Sequence, residues 1–258
     1  MLLTLAVDAL RDQLKSVGKG SLAPLDMPDF VVREFELRGL HVSTTLFAGW
    51  AIGDIDKFRD RCDKAGCPCL VMTEPTPLKL ADHDGMVADA AADRVSKILK
   101  VAHRLGCASV AIRVDDPGDD DAFEVACDHL RDIVRQAERA EINLLVGECP
   151  GLAPTAQALT DLVRRVGGFR IGSFPTFAAA HASGDPSEYL RQVAPYATAI
   201  SASGELDAPV IAKCVEAIRA VGFDGTLAID PAPGKDVAKR ILTAKEAIEA
   251  AFLEAQDA

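Results

Sequence analysis

Residues 141–151, with the sequence EINLLVGECPG, show the pattern that the rest of the chain repeats. Four of the five residues at 142–146 are apolar and two are β-branched, which predicts a strand that is covered on both faces. Glu148 follows this strand directly, before Pro150 and Gly151. A carboxylate at the carboxyl end of a buried parallel strand is a frequent place for chemistry, so Glu148 is the first candidate functional residue.

On both sides of this segment the sequence alternates between short apolar strands and helical patterns. The predicted strands cover residues 2–7, 40–46, 69–72, 109–114, 142–146, 169–174, 197–202 and 226–229. The predicted helices cover residues 9–17, 27–37, 54–65, 85–105, 122–140, 155–166, 186–193, 209–221 and 235–252. Glycines are expected to end several helices, among them Gly39, Gly66, Gly106, Gly167 and Gly222.

Eight strand-then-helix units predict a single (β/α)8 TIM barrel over residues 1–258. No Pro- or Ser-rich linker divides the chain. A doubly wound open sheet is the alternative, and such a sheet would more often show a glycine-rich fingerprint after its first strand. Residues 5–8 (LAVD) contain none, so the barrel is favoured.

Composition excludes several classes of partner. A net charge of -11 and a pI near 4.9 disfavour a nucleic-acid surface and an anionic membrane as partners. No apolar run reaches the roughly 18 residues of a membrane span, and Asp8 and Arg11 come too early for a signal peptide. The seven cysteines are odd in number and lie mostly in apolar stretches, which predicts free thiols and a cytoplasmic protein.

In a barrel the active site lies at the carboxyl ends of the strands, and all of these ends are polar here. The positions are Asp8, Thr44, Thr45, Glu74, Arg113, Asp115, Glu148, Ser173, Thr176, Ser201, Ser203 and Asp230. Such residues also cap the helices that follow, so position alone does not assign a role. Glu148 is the least explained by capping, because Glu is a poor cap. His41, at the start of its strand, is expected to serve stability.

Five segments together resemble the xylose isomerase-like barrels, a group of sugar phosphate isomerases and epimerases related to family-two apurinic endonucleases. They are DMPDFVVREFELRGLHVS (26–43), AHRLGCASVAIRV (102–114), INLLVGECPG (142–151), VGGFRIGSFPTF (166–177) and VGFDGTLAIDPAPG (221–234). The endonuclease branch is disfavoured, because it needs several metal-binding histidines and a basic surface for DNA.

Members of this group typically hold a divalent metal through a Glu after strand five, an Asp after strand six, a His or similar residue near strands six to seven and a Glu after strand eight. The resemblance places Glu148 first and Asp230, one methylene shorter, fourth. Thr176 takes the place of the Asp, and residues 200–203 (ISAS) contain no His. The implied cofactor is Mn, Mg or Zn held by Glu148 and Asp230, at a site that lacks two ligands. Glu74, Asp115 or His181 are possible replacements.

The resemblance implies a sugar or sugar-phosphate isomerase or epimerase that acts on a small-molecule carbohydrate, with Glu148 and Asp230 as catalytic residues. The expected substrate-binding residues are Glu74, Arg113, Asp115, Thr176, Ser203 and Lys235. Lys235, with Gly204 nearby, would bind a phosphate group. The alternative is an inactive barrel that binds carbohydrate or regulates a partner. A Schiff-base lyase is rejected because no predicted strand ends in Lys. The oligomeric state stays open.

Overall fold

Eight parallel strands form one curled sheet in the order β6-β5-β4-β3-β2-β1-β8-β7. The computed structural model describes residues 1–15, 21–116 and 118–254. The strands are β1 Leu2–Ala6, β2 Leu40–Ser43, β3 Cys69–Thr73, β4 Ser109–Arg113, β5 Asn143–Gly147, β6 Ile171–Ser173, β7 Ala199–Ser203 and β8 Thr226–Asp230. Two isolated parallel bridges, Ser173–Ala197 and Thr176–Ser201, join the edge strands β6 and β7. The predicted TIM barrel is therefore confirmed.

Helices follow the strands around the outside of this sheet. They are α1 Arg11–Lys15, α2 Met27–Phe35, α3 Ile52–Ala65, α4 Gly85–Leu105, α5 Asp120–Arg139, α6 Ala156–Val166, α7 Phe177–Ala182, α8 Pro186–Val193, α9 Ala208–Ala220 and α10 Val237–Glu254. Helix α7 was not predicted, because six residues are too few to show a helical period. The end predicted for the first helix, residues 16–17, lies outside the described residues.

Two predicted helix signals act differently in the structure. Glu36, with φ 56°, takes the left-handed conformation that ends α2, a role that the sequence suggested for Gly39. A Cβ at Gly39 would lie 2.7 Å from Leu70 Cδ1 and 2.8 Å from Thr4 Cγ2, so this glycine permits close packing beside the neighbouring strands. Asp54 lies inside the first turn of α3 and does not precede the helix.

The core lies on both faces of the strands, as their apolar sequences predict. On β4 and β5, Val110 and Leu144 belong to one buried cluster, and the next residues, Ala111 and Leu145, belong to a second cluster on the opposite face. All seven cysteines are free and buried, which confirms that they act as small apolar residues. Within residues 1–15, 21–116 and 118–254, no helix combines the length and the apolar character needed to cross a bilayer.

Candidate active site

A cavity of about 200 Å³ lies at the carboxyl ends of the strands. This volume corresponds to roughly seven water molecules, the scale of a small polar ligand. Each strand, or the loop that follows it, contributes to the wall. The polar residues in the wall are Asp8, His41, Thr73, Glu74, Arg113, Glu148, Thr176, Ser201, Ser203 and Asp230. Of the site residues expected from the sequence, the wall therefore omits Asp115 and Lys235.

Glu148 is a half-buried residue whose carboxyl group has incomplete hydrogen bonding. Its Oε1 is shielded from solvent and has no hydrogen-bond partner among the described residues. Burial raises the pKa of Glu148 to about 7, against the opposing effects of its own backbone N–H and the charge of Arg113. Near neutral pH the group is therefore divided between its acid and base forms, which is the condition that suits proton transfer.

Asp230 lies at the end of β8 and lines the same cavity. Its Oδ2 accepts a hydrogen bond of 2.9 Å from Ser201 Oγ on β7. Burial raises the pKa of Asp230, the Ser201 hydrogen bond opposes this rise, and the charge of Asp8 adds to it. The cavity therefore contains two carboxyl groups, from β5 and β8, whose environments both favour the protonated form more than water does.

Glu74 is a third carboxylate in the wall, and its environment is the opposite of that of Glu148. Its Oε2 accepts from Thr44 Oγ1 at 3.2 Å and Arg94 Nε at 2.9 Å, while Oε1 accepts from Thr76 N at 3.1 Å. Arg94 Nη2 also lies 2.6 Å from Oε2, and the Glu74 side chain is 1% exposed. Both oxygens are thus paired. Arg94 was not predicted, because it comes from α4 and not from a strand end.

Arg113 brings a guanidinium group to the wall beside Glu148. It is the last residue of β4 and is in register with Gly147 of β5. A Cβ at Gly147 would lie 3.4 Å from Arg113 Cγ, so the glycine leaves room for the arginine stem. Arg113 Nη2 donates to Pro75 O at 2.6 Å. Among the described residues, no carboxylate oxygen lies within 4.0 Å of its charged nitrogens.

Asp115 and Lys235 lie away from the cavity wall. Asp115 is exposed in the loop after β4, where its Oδ1 accepts from Cys149 Sγ at 3.6 Å. Lys235 lines a different recess of about 800 Å³, which also contains Gly204 and Arg240. The structure does bring Lys235 and Gly204 to one recess, as the sequence suggested, but this recess does not include Glu148.

His41 lines the inner part of the cavity, although it is the second residue of β2. Its Nε2 is hydrogen-bonded to Thr226 Oγ1 at 3.1 Å, which links β2 to the start of β8. Burial lowers the pKa of His41 to about 3, so the imidazole is neutral. The bond to Thr226 agrees with a stabilising role, and the sequence contained no signal that the ring would also line the cavity.

The side chains at the expected metal positions make other contacts. Thr176 Oγ1 accepts from Ala179 N at 3.0 Å and thereby caps α7. Ser201 donates its hydroxyl to Asp230, and His181 is exposed and does not line the cavity. In the described part of the chain, no group of three or more His, Cys, Asp or Glu residues could hold a metal ion. These residues do not fit a divalent metal site of the kind that the resemblance implied.

Comparison with known proteins places this fold in a family. A family model described as "Xylose isomerase-like TIM barrel" matches residues 32–251. No curated protein matches the sequence.

Solved structures share the fold at low sequence identity. An L-ribulose 3-epimerase has a TM-score of 0.78 and 15% identity, over 99% of this chain and 97% of that one. D-psicose 3-epimerase from Clostridium cellulolyticum H10 has a TM-score of 0.77 and 12% identity, over 99% and 98%. The IolI protein with bound zinc has a TM-score of 0.73 and 10% identity, over 98% and 97%. At these identities the likeness shows the fold alone.

Proposed function

Since this chain belongs to the xylose isomerase-like TIM barrel family, we propose that it isomerises or epimerises a small uncharged carbohydrate by proton transfer. One observation carries the proposal: Glu148 and Asp230, two carboxyl groups with raised pKa values, line one cavity at the carboxyl ends of the strands. The sugar epimerases among the structures of similar fold support carbohydrate as the substrate class.

In the proposed reaction, the ionised Glu148 takes a proton from a carbon next to the sugar carbonyl. The C–H electron pair forms a C=C bond, and the carbonyl oxygen receives the displaced electron pair as an enediolate. The fraction of Asp230 that is protonated, which burial increases, then returns a proton, either to the other face of the same carbon or to the neighbouring carbon. The first outcome is epimerisation. The second is isomerisation, and it also requires the hydroxyl proton on the carbon that lost its C–H to move to the enediolate oxygen, so that the carbonyl forms at that carbon. Solvent exchange afterwards restores the starting protonation states.

The charges in the cavity wall favour an uncharged sugar over a sugar phosphate. The wall contains four carboxyl side chains and, among the described residues, one guanidinium: Asp8, Glu74, Glu148, Asp230 and Arg113. A phosphate dianion in this small space would be repelled by ionised carboxylates at short range. Lys235, the cation expected to bind phosphate, lines the other recess.

The experiment is solvent exchange in deuterium oxide with a panel of ketoses and aldoses, followed by proton NMR. The wild type is expected to place deuterium next to the carbonyl of at least one sugar. Glu148→Gln should lower this rate by about 10²- to 10⁴-fold, because a general base contributes on that scale. Glu216→Gln, at an exposed position on α9, is the matched control and should exchange like the wild type. Wild-type exchange rates in Glu148→Gln would refute the proposal.

The lack of a fitting metal set favours a second candidate, a barrel that binds carbohydrate without converting it. Calorimetry with the same sugars distinguishes the two functions. A sugar that binds the wild type, loses affinity for Glu148→Gln and never exchanges deuterium would identify a binding protein. Binding together with exchange would identify the enzyme.

A further inference from the structure

We propose that Arg113 supplies the positive charge for this reaction and that the proton transfer needs no divalent metal. The inference rests on the proposed function and deepens it by assigning one residue to the developing negative charge. An enediolate oxygen requires a cation or strong hydrogen-bond donors, and a metal ion is one source of such charge. A group in this cavity must therefore stabilise the negative charge on the enediolate oxygen.

Several side chains that could offer oxygen or nitrogen ligands to a metal ion in the cavity are already engaged in other contacts. The Thr176 hydroxyl caps α7, and Ser201 donates to Asp230. His41 has its Nε2 bonded to Thr226. Glu74 has both oxygens paired, with Arg94 as its counter-charge. Asp8 also lines the cavity and its charge acts on Asp230, but no group of three or more His, Cys, Asp or Glu among the described residues could hold a metal ion. Because charge count decides much of the affinity for a divalent cation, Glu148 and Asp230 make a poor site.

In contrast, most N–H donors of the Arg113 guanidinium have no acceptor among the described residues. A guanidinium has five N–H donors in a rigid fork, and Pro75 O accepts from Nη2. Arg113 is exposed, and no other hydrogen bond or ion pair joins it to a residue that the structure describes. Arg94, on α4, differs, since it is bound to Glu74 through Nε and Nη2. The Pro75 carbonyl therefore orients Arg113 without neutralising it.

The position of Arg113 relative to Glu148 suits a carbonyl and its neighbouring carbon. Arg113 pairs in register with Gly147, the last residue of β5, and Glu148 is the next residue in the chain. The Arg113 charge acts on the Glu148 carboxyl and opposes the rise of its pKa, so the two groups are electrostatic neighbours. A sugar can then present a C–H group to Glu148 and the neighbouring carbonyl oxygen to Arg113, because only two bonds separate that carbon from that oxygen.

The reaction balances without a metal ion. As Glu148 removes the proton, the electron pair of the C–H bond becomes the C=C bond and the carbonyl π pair moves to oxygen. Arg113 keeps its own proton, because a guanidinium does not ionise near neutral pH, and it stabilises the oxyanion through hydrogen bonds and charge. Asp230 then supplies the returning proton, and the oxygen re-forms its carbonyl.

The test begins with metal binding, which does not depend on turnover. Chelator-treated wild type is titrated with Mn²⁺, and free Mn²⁺ is followed by electron paramagnetic resonance. No stoichiometric binding is expected up to millimolar metal. Deuterium exchange by the same chelator-treated protein should equal that of the untreated protein. Tight stoichiometric Mn²⁺ binding that Glu148→Gln abolishes, or activity that disappears on chelation and returns with Mn²⁺, would overturn the inference.

The second arm tests Arg113 directly. Arg113→Met should lower kcat for exchange by about 10²- to 10³-fold, the scale found on removal of one oxyanion donor. Added ethylguanidinium should restore part of the rate, and Arg113→Lys should retain part of it. Arg139→Met, at an exposed position on α5, is the control for loss of an arginine. Circular dichroism and thermal melts verify folding of each variant.

The outcomes separate the two proposals. A wild type that exchanges deuterium while Arg113→Met retains full kcat overturns the assignment of Arg113 alone. A wild type that exchanges with no sugar overturns the proposed function, and the Arg113 assignment with it. A loss in Arg113→Met that ethylguanidinium partly rescues, in metal-free protein, supports both.

Discussion

Glu74 and Glu148 are the same residue type at equivalent places, just beyond the ends of β3 and β5, in the wall of one cavity. Glu74 receives hydrogen bonds on both carboxylate oxygens. Glu148 leaves Oε1 without a partner among the described residues. The difference shows that a carboxylate at a strand end can either stabilise the barrel or remain available for chemistry, according to the partners around it.

The physical reason is the cost of removing a charge from water. Charge-assisted hydrogen bonds from Arg94, Thr44 and the Thr76 N–H offset that cost for Glu74. Glu148 lacks an equivalent set, so its negative form is disfavoured and the pKa of Glu148 rises to about 7. Substitutions that alter the surroundings of Glu74 or of Glu148 separately should therefore have different effects on stability and activity.

Glu148→Gln and Glu74→Gln should change the free energy of unfolding in opposite directions at pH 8. Glu148 has a pKa of about 7 in the folded chain, against 4.5 for the free side chain. Between these values the folded state binds more protons than the unfolded state, so wild-type stability falls as pH rises. Glu148→Gln should therefore add about 2–3 kcal/mol at pH 8 and nothing below about pH 4.5.

Glu74→Gln should instead cost about 2 kcal/mol at pH 8, because an amide cannot accept all the hydrogen bonds that the carboxylate receives. Urea unfolding of the wild type and both variants across this pH range measures the two effects. A loss of stability in both variants would remove the contrast between the two carboxyl groups.

Substitution of Arg94 should lower stability, whereas substitution of Arg113 should lower exchange activity. Arg94→Met leaves the buried Glu74 without its counter-charge, and Arg94 is 54% exposed, so solvent screening limits the cost to about 1–2 kcal/mol. Arg113→Met should change the free energy of unfolding by less than about 0.5 kcal/mol, while exchange activity falls as described above. Equal losses of stability in the two variants would contradict this distinction.

The pH profile of exchange should report Glu148. The value of kcat/KM is expected to rise with pH up to about 7, where Glu148 becomes ionised, and to fall at higher pH, where Asp230 loses the proton that it donates. Arg113→Met should move this midpoint to higher pH, because the positive charge of Arg113 lowers the pKa of Glu148. Glu216→Gln should leave the midpoint unchanged. A midpoint that does not move in Arg113→Met would show that the two groups are not coupled.

The smallest effect concerns one hydrogen bond of Glu74. Thr44→Val removes the 3.2 Å bond from Thr44 Oγ1 to Glu74 Oε2 and should cost about 1 kcal/mol, measured by urea unfolding. The Arg94 ion pair remains, so the loss should be smaller than that of Arg94→Met. The reverse order would assign the stabilisation of Glu74 to Thr44.

Much of the fold could be predicted from local sequence signals. Apolar runs marked the strands, and the helix from Gly85 to Leu105 was predicted with its observed bounds. The sequence-based predictions were wrong where one residue pattern had two possible structural causes. Gly39 marks a close approach of neighbouring strands, and Glu36 ends the helix despite its side chain. Helix α7 was too short to show a period.

The sequence by itself determined the barrel and the set of polar residues at its strand ends, because hydrophobic periodicity and strand-end position are local properties of the chain. Only the tertiary structure decided which of those residues have side chains left available for chemistry. Arg94 reaches Glu74 from 20 residues away, and Ser201 reaches Asp230 from 29 residues away. Burial and partner contacts of this kind depend on packing between distant segments, and they set the difference between Glu74 and Glu148.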